Sequence, residues 1–166
     1  RDEPDHYRKI LEKVLQEGAD LIISTGAVSM GKYDFVSDVL KELGAKTYFH
    51  KVAIRPGKPL LFGEFDGPIG RRCAFFGVPG NPVSTAVGLR FFIEPYTRAW
   101  LGLPSEQPIR ATLIQDCKKP EGLRCFFKGK ANLGKNGFEV EALKGQASYV
   151  VSSLLDANCW VILSEH

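Results

Sequence analysis

The sequence predicts an α/β domain followed by a small all-β domain. Three observations lead there. Through Leu103, apolar runs with helical spacing alternate with short apolar runs of strand length. In the middle of that region, Gly77-Val78-Pro79-Gly80-Asn81-Pro82-Val83-Ser84 joins an apolar run to a long helix pattern, as strand-to-helix turns of α/β sheets do. Beyond Pro108 the apolar runs are short and often alternating, with Gly, Asn and Lys between them and no helix expected.

Taken in order, Asp5 to Gly18 reads as a helix, because Tyr7, Ile10, Leu11, Val14 and Leu15 recur on one face and Gly18 stops it. Asp20 to Ser24 is a short apolar strand of the kind buried in a parallel sheet. A glycine turn, Thr25 to Gly31, leads to a second helix opened by Asp34 and stopped by Gly44. Tyr48 to Ile54 is strand-like. Arg55-Pro56-Gly57-Lys58-Pro59 is a rigid turn, since two prolines fix φ on either side of a permissive glycine. Leu60–Phe65 and Cys73–Phe76 read as strands joined by a hairpin loop. Asn81 suits an N-cap and Pro82 the first helical position, where a missing N–H costs nothing. The helix then runs to about Leu101, bent or broken at Pro95. Leu103 to Pro108 reads as a linker, dividing an α/β domain at 1–103 from a β domain at 104–166. In the latter, Ile109–Cys117, Arg124–Ala131, Phe138–Ala142 and Cys159–Leu163 are the strand candidates of a small barrel or sandwich. Alternating strands and helices predict a parallel sheet covered on both faces.

Composition narrows the class. At 166 residues with 44% hydrophobic and 25% charged, the chain is globular in character. A net charge of +3 is too small to argue for nucleic acid. No stretch approaches the roughly 20 apolar residues of a membrane span, and the opening residues do not read as a signal peptide. The four cysteines (Cys73, Cys117, Cys125, Cys159) show neither CxxC spacing nor a histidine at metal spacing, and read as reduced core thiols of a cytoplasmic protein. The chain starts at Arg1 without Met and ends at His166 directly after an apolar run, so a portion of something longer is expected.

Three turns leave strands of the first domain: Thr25–Asp34, Arg55–Pro59 and Gly77–Ser84. In open α/β sheets, ligands bind outside the carboxyl ends of strands. Glycines at 26, 31, 77 and 80 would let a ligand approach the backbone, Arg55 and Lys58 supply positive charge, and Ser29 and Ser84 supply hydroxyls. Together these describe an oxyanion or phosphate site. Two readings stand for Gly77–Ser84, an anion site at a helix start or an ordinary connection. Two also stand for Asp34, an N-cap or a carboxylate that helps bound phosphate hold Mg²⁺. His6, His50 and His166 have no nucleophile or metal partner at a recognisable spacing. Lys118-Lys119 and Lys128/Lys130 read as a solvated face, and Trp100 and Trp160 as core.

The three turns, in this order and spacing, resemble the molybdopterin molybdenumtransferase family of the MoeA type, which includes the gephyrin E domain. The resemblance continues past the linker, in Gly122-Leu-Arg-Cys-Phe-Phe127 and in the run from Gly145 to Asn158. It implies a three-layer molybdopterin-binding α/β domain, here incomplete at its N-terminal side, followed by a barrel-like β domain. The implied reaction inserts molybdate into the dithiolene of adenylylated molybdopterin, with Mg²⁺, and releases AMP. The implied molybdate residues are Arg55, Lys58, Pro59, Ser84, Arg124 and Ser148, drawn from both domains. Thr25, Gly26, Ser29, Gly31, Gly80 and Asn81 are implied to receive the cofactor. Lys58 and Asp34 are the implied catalytic residues, with Asp34 also implied in Mg²⁺ handling. A cytoplasmic homodimer, supplied by a molybdopterin adenylyltransferase, is implied as well. Ala27 departs from the pattern, since the family commonly has a second glycine there. Two other classes compete: a gephyrin-like scaffold with the same fold and no catalysis, and a stand-alone pterin or nucleotide binder. Scaffolding requires none of Lys58, Ser84, Arg124 and Ser148, and the β domain argues against the stand-alone binder.

Overall fold

The structure is a computed structural model that describes residues 4–26 and 35–165. It forms two compact units: the described residues of 1–52 with 57–81, and those of 53–56 with 82–166.

In the first unit, α1 (Pro4–Gln16) begins on a proline, carries Asp5 in its first turn and ends at Gly18, whose φ of 79° any other residue would adopt at a cost. The Gly18 and Ala19 amides donate to the carbonyls of Leu15 and Val14, at 3.1 and 3.3 Å, which satisfies the open end of the helix. Helix α2 (Phe35–Glu42) ends the same way at Gly44. Between them lies β1 (Leu21–Thr25), followed after α2 by β2 (Lys46–His50), β4 (Leu61–Asp66) and β5 (Arg72–Val78). The sheet order is β1-β5-β4-β2. Leu11, Val36, Val39, Leu40, Leu61, Phe65, Cys73 and Phe75 form the core of this unit. Buried from Cys73 to Val78, β5 reads as a continuous apolar run for that reason.

The expected all-parallel sheet is corrected here, while the hairpin expected between Leu60–Phe65 and Cys73–Phe76 is present: among the described residues the sheet is mixed. Only β1 and β5 run parallel; β5–β4 and β4–β2 are antiparallel. The reason is the length of the connections. Gly67–Arg71 between β4 and β5 is a closed turn, with the Gly67 amide donating to the Arg71 carbonyl at 2.7 Å. A parallel partner would need a crossover of a dozen residues or more.

In the second unit, β3 (Ile54–Arg55), β6 (Thr112–Leu113), β7 (Arg124–Gly134), β8 (Gly137–Ala142) and β9 (Cys159–Leu163) form one sheet. The order is β3-β7-β8-β6, with β9 also on β7. The ladder is open: among the described residues β6 pairs only with β8 and β9 only with β7. From Cys125 to Gly129, strand β7 is buried on both faces. Cys125 and Phe127 join Val140 and Val161 in the core, while Phe126 stacks on Phe91 at 4.2 Å between ring centroids. Phe91 also meets Trp160 edge-on at 6.0 Å. A one-turn helix, α5 (Ser153–Asp156), stands where no helix was expected; one turn is too short to show a period.

The expected helix from Pro82 has three parts: α3 (Pro82–Gly88), a π-helical turn (Leu89–Ile93) and α4 (Glu94–Trp100). Pro95 lacks the N–H that would bond back to residue 91, and the wider π turn accommodates it just upstream. Trp100 is 56% exposed at the helix end, not core as expected. The following segment is fastened to this helix. Arg98 donates twice to the Pro104 carbonyl, at 3.0 and 3.2 Å, and Arg90 pairs with both Glu94 and Glu106. Hydrogen bonding and charge from Arg90 hold the Glu106 carboxyl below its ordinary range. Replacing Arg90 with alanine is therefore expected to speed limited proteolysis within residues 104–108, scored by mass spectrometry of the cleavage products, with no loss of secondary structure.

Candidate functional site

The register of the first unit's sheet brings the glycine-rich turns to one end. Thr25 pairs with Val78, and Leu61 pairs with both Gly77 and His50. Strands β1 and β5 therefore end where β4 begins. Thr25, Gly26, Gly80 and Asn81 lie at that end, with Lys58 and Pro59 just before β4. The Gly26 amide donates to the Val78 carbonyl at 3.1 Å, extending the ladder one residue beyond the strands. A β-carbon on Gly80 would lie 2.8 Å from the Gly26 Cα, so the two backbones touch as closely as glycine allows. Gly26 has φ 88°, a second reason for glycine there.

The turn carrying Lys58 is pinned from inside. Lys51 donates its amide to the Leu60 carbonyl and Val52 to the Lys58 carbonyl, both at 2.9 Å. Lys51 adopts φ 76°, unusual for a residue with a side chain. The Lys58 side chain remains exposed. The carboxyl end of β1 is also buttressed by a residue that sequence reasoning gave only a packing role. The Tyr7 hydroxyl donates to Ser24 Oγ at 2.8 Å while its ring meets Phe35 edge-on at 5.5 Å, and burial raises its pKa.

In the second unit, Ser84 is buried in the first turn of α3, 5% exposed. Arg55 pairs with Cys125 and Arg124 with Ile54, so the two arginines stand one register step apart on adjacent parallel strands. Burial raises the Cys125 thiol pKa, against opposing pulls from the Lys119 and Arg55 charges. Arg124 does not present an empty fork. Its Nε and a terminal nitrogen donate to the two carboxylate oxygens of Glu165, at 3.1 and 3.3 Å. Lys119 Nζ donates to the Glu165 backbone carbonyl at 3.2 Å. Planar, bidentate binding of a carboxylate shows the geometry in which this guanidinium would take another oxyanion. Any such anion would displace Glu165. Nothing in the sequence pairs Arg124 with a residue so far along the chain.

Ser148 lies in a turn closed by the Val150 amide on the Ala147 carbonyl at 3.0 Å. The segment around it is held by Lys128, and here the expectation of a solvated lysine is corrected. Lys128 is 1% exposed, whereas Lys130 faces solvent as expected. A lysine in a strand is inward-facing where both faces of the strand are covered, and β7 is so covered from Cys125 to Gly129. Lys128 Nζ donates to the carbonyls of Gly145 and Val150 at 2.7 and 2.8 Å, and reaches that of Ala147 at 3.5 Å. Burial lowers its pKa.

Ser29, Gly31 and Asp34 lie outside the described residues. Among the described residues no group of three or more His, Cys, Asp and Glu could hold a metal, and no helix is long and apolar enough to cross a membrane. All four cysteines are free thiols.

Comparison with known proteins gives the class first. Residues 1–99 match the family described as a probable molybdopterin binding domain, and the chain belongs to that family. Residues 110–166 match the MoeA C-terminal region, domain IV, so the chain is of the MoeA type. It is 40% identical over 165 residues to the molybdopterin molybdenumtransferase of Synechococcus elongatus, covering 98% of this chain and 38% of that protein. The enzyme of the same name from Haemophilus influenzae is 33% identical over 154 residues, covering 90% and 37%. The crystal structure of a molybdopterin biosynthesis MoeA protein from Pyrococcus horikosii superposes with a TM-score of 0.71 at 26% identity, over 99% of this chain and 38% of that one. The chain thus spans about two fifths of the length of these relatives.

Proposed function

We propose that this chain is part of a molybdopterin molybdenumtransferase that inserts molybdate into adenylylated molybdopterin and releases AMP. The observation that carries the reading is the sheet end at which the Gly26 and Gly80 backbones touch beside the exposed Lys58 turn. Such an end offers close backbone approach and fixed positive charge to an anionic ligand. The relatives' names support it.

Molybdate is a tetrahedral dianion. We assign it individually to Lys58 and Pro59 of the first unit, and to Arg55, Ser84, Arg124 and Ser148 of the second. The cofactor is assigned to Thr25, Gly26, Gly80 and Asn81, with Ser29 and Gly31. Cations and hydroxyl donors hold the dianion and stabilise charge as an oxo ligand leaves and dithiolene sulfur takes its place. No protein nucleophile is needed, because the cofactor's sulfurs form the bonds. Mg²⁺ would travel with the adenylate phosphates, with Asp34 as its assigned carboxylate. On this reading the intact protein is a cytoplasmic homodimer that receives its cofactor from a molybdopterin adenylyltransferase. Its α/β part is three-layered and ends near residue 103, and its β part closes towards a barrel.

The test is molybdate-dependent cofactor formation by the intact protein. Lys58→Ala and Arg124→Ala are each expected to lower it by about 10²–10³-fold, the usual effect of removing one fixed donor at developing charge. Unchanged activity in both variants would sink the assignment.

A further inference from the structure

Lys128 is a buried cation that the proposed chemistry does not use. It sits on the core strand β7, and its ammonium meets three carbonyls of a segment that follows β8. That segment has few apolar anchors: Tyr149, Val151 and Leu155 are all exposed. What fixes it is polar. Gln146 Nε2 donates to the carbonyls of Lys128 and Leu143, both at 2.7 Å, and its Oε1 accepts from the Lys128 amide at 2.9 Å. Ser153 Oγ donates to the Gly145 carbonyl at 3.2 Å. The three carbonyls on Lys128 belong to residues 145, 147 and 150, so they bracket Ser148 from both sides. An apolar side chain in place of Lys128 would take the charged donor from three carbonyls at once, leaving Ala147 the Val150 amide, Gly145 the Ser153 hydroxyl and Val150 only that same hydroxyl at 3.4 Å. Hydrogen bonds from a charged donor are the stronger ones, so the segment would lose its firmest tie to β7.

We propose that Lys128 is the positioning residue for Ser148, its ammonium serving as a built-in cation around which the Gly145–Ser153 segment is wrapped. The functional half of this inference rests on the reading that Ser148 contacts the oxyanion. Lys128 itself touches neither substrate nor cofactor. Its effect is on where the Ser148 hydroxyl is held, so it should appear in molybdate binding rather than in the bond-making step.

The experiment compares Lys128→Met and Lys128→Ala with the unaltered intact protein. Hydrogen–deuterium exchange in the absence of substrate is expected to quicken about tenfold or more over residues 143–153 and to stay unchanged in the other strands of the unit. The KM for molybdate is expected to rise about tenfold, with kcat within about twofold, as for an interaction lost equally from ground and transition states. Propylammonium, which replaces the atoms missing from the alanine variant, is expected to restore both. If the alanine variant does not fold alone, recovery of folding that depends on propylammonium carries the same meaning. Exchange that is unchanged at 143–153, exchange that quickens evenly across the unit, or no response to the amine would each overturn the proposal. Ser148→Ala separates the two readings. An unchanged molybdate KM in that variant would remove Ser148 from the site, and with it the functional half, while the exchange result still decides whether Lys128 positions the segment.

Discussion

Gly80→Ala is expected to cost the intact protein about a hundredfold in activity, the order of loss that follows a misplacement of about 1 Å at a reacting centre. The added β-carbon would lie 2.8 Å from the Gly26 Cα and 3.5 Å from its amide nitrogen. Both are backbone atoms, so no side chain can swing aside. The two turns must part, and they are the ends of β1 and β5, assigned to cofactor binding. Gly26 is itself tied to the Val78 carbonyl, so the displacement is passed to the end of β5. The fold should survive, because overpacking costs typically about 1–3 kcal/mol and here it falls at the exposed end of the sheet. Cofactor formation and the thermal midpoint, measured on the same preparation, decide the matter. A variant with normal activity would show that the Gly26–Gly80 contact is not part of the site.

Phe75→Ala should do the reverse. Phe75 is fully buried, at the middle of β5, the strand that pairs with both β1 and β4. It contacts the cluster contributed by α1, α2 and the sheet. Truncation removes the ring and leaves a cavity that rigid strands on both sides cannot close. The expected loss is about 3–5 kcal/mol of stability, read from urea unfolding. The fraction that stays folded should retain its activity, since Phe75 reaches no assigned site residue. A loss below about 1 kcal/mol would mean that the site had collapsed around the smaller residue.

Much of the fold was legible because local signals agreed with one another. Helix α1 shows its apolar spacing and its glycine stop, and β9 spans the residues that its apolar run marks. Strand direction was not legible from the runs themselves, because periodicity carries no orientation. The short Gly67–Arg71 connection held that information for one pair, and the hairpin read there from the sequence is the antiparallel β4–β5 pair. Lys128 misled for a similar reason. A charged residue in an alternating strand is normally on the wet face, but Cys125, Phe126 and Phe127 in succession mark a stretch of β7, up to Gly129, that has no wet face. That run was the available signal. The carbonyls that satisfy the ammonium, and the Glu165 that occupies Arg124, lie far along the chain and only folding brings them near. The site was legible as motifs, through the glycines and the Arg55–Pro59 turn. The contact that makes Gly80 obligatory depends on register, which no single motif encodes.

The pairing of Leu21 with Ala74 also has a consequence for the order of events during synthesis. Strands β7 and β8 meet through a two-residue turn between Gly134 and Gly137, and can pair as soon as they are made. Strand β1 cannot. The edge of Leu21–Thr25 that takes β5 stays open on a growing chain until residues 72–78 have left the ribosome. The end of the sheet assigned to the cofactor is completed only when Gly80 follows.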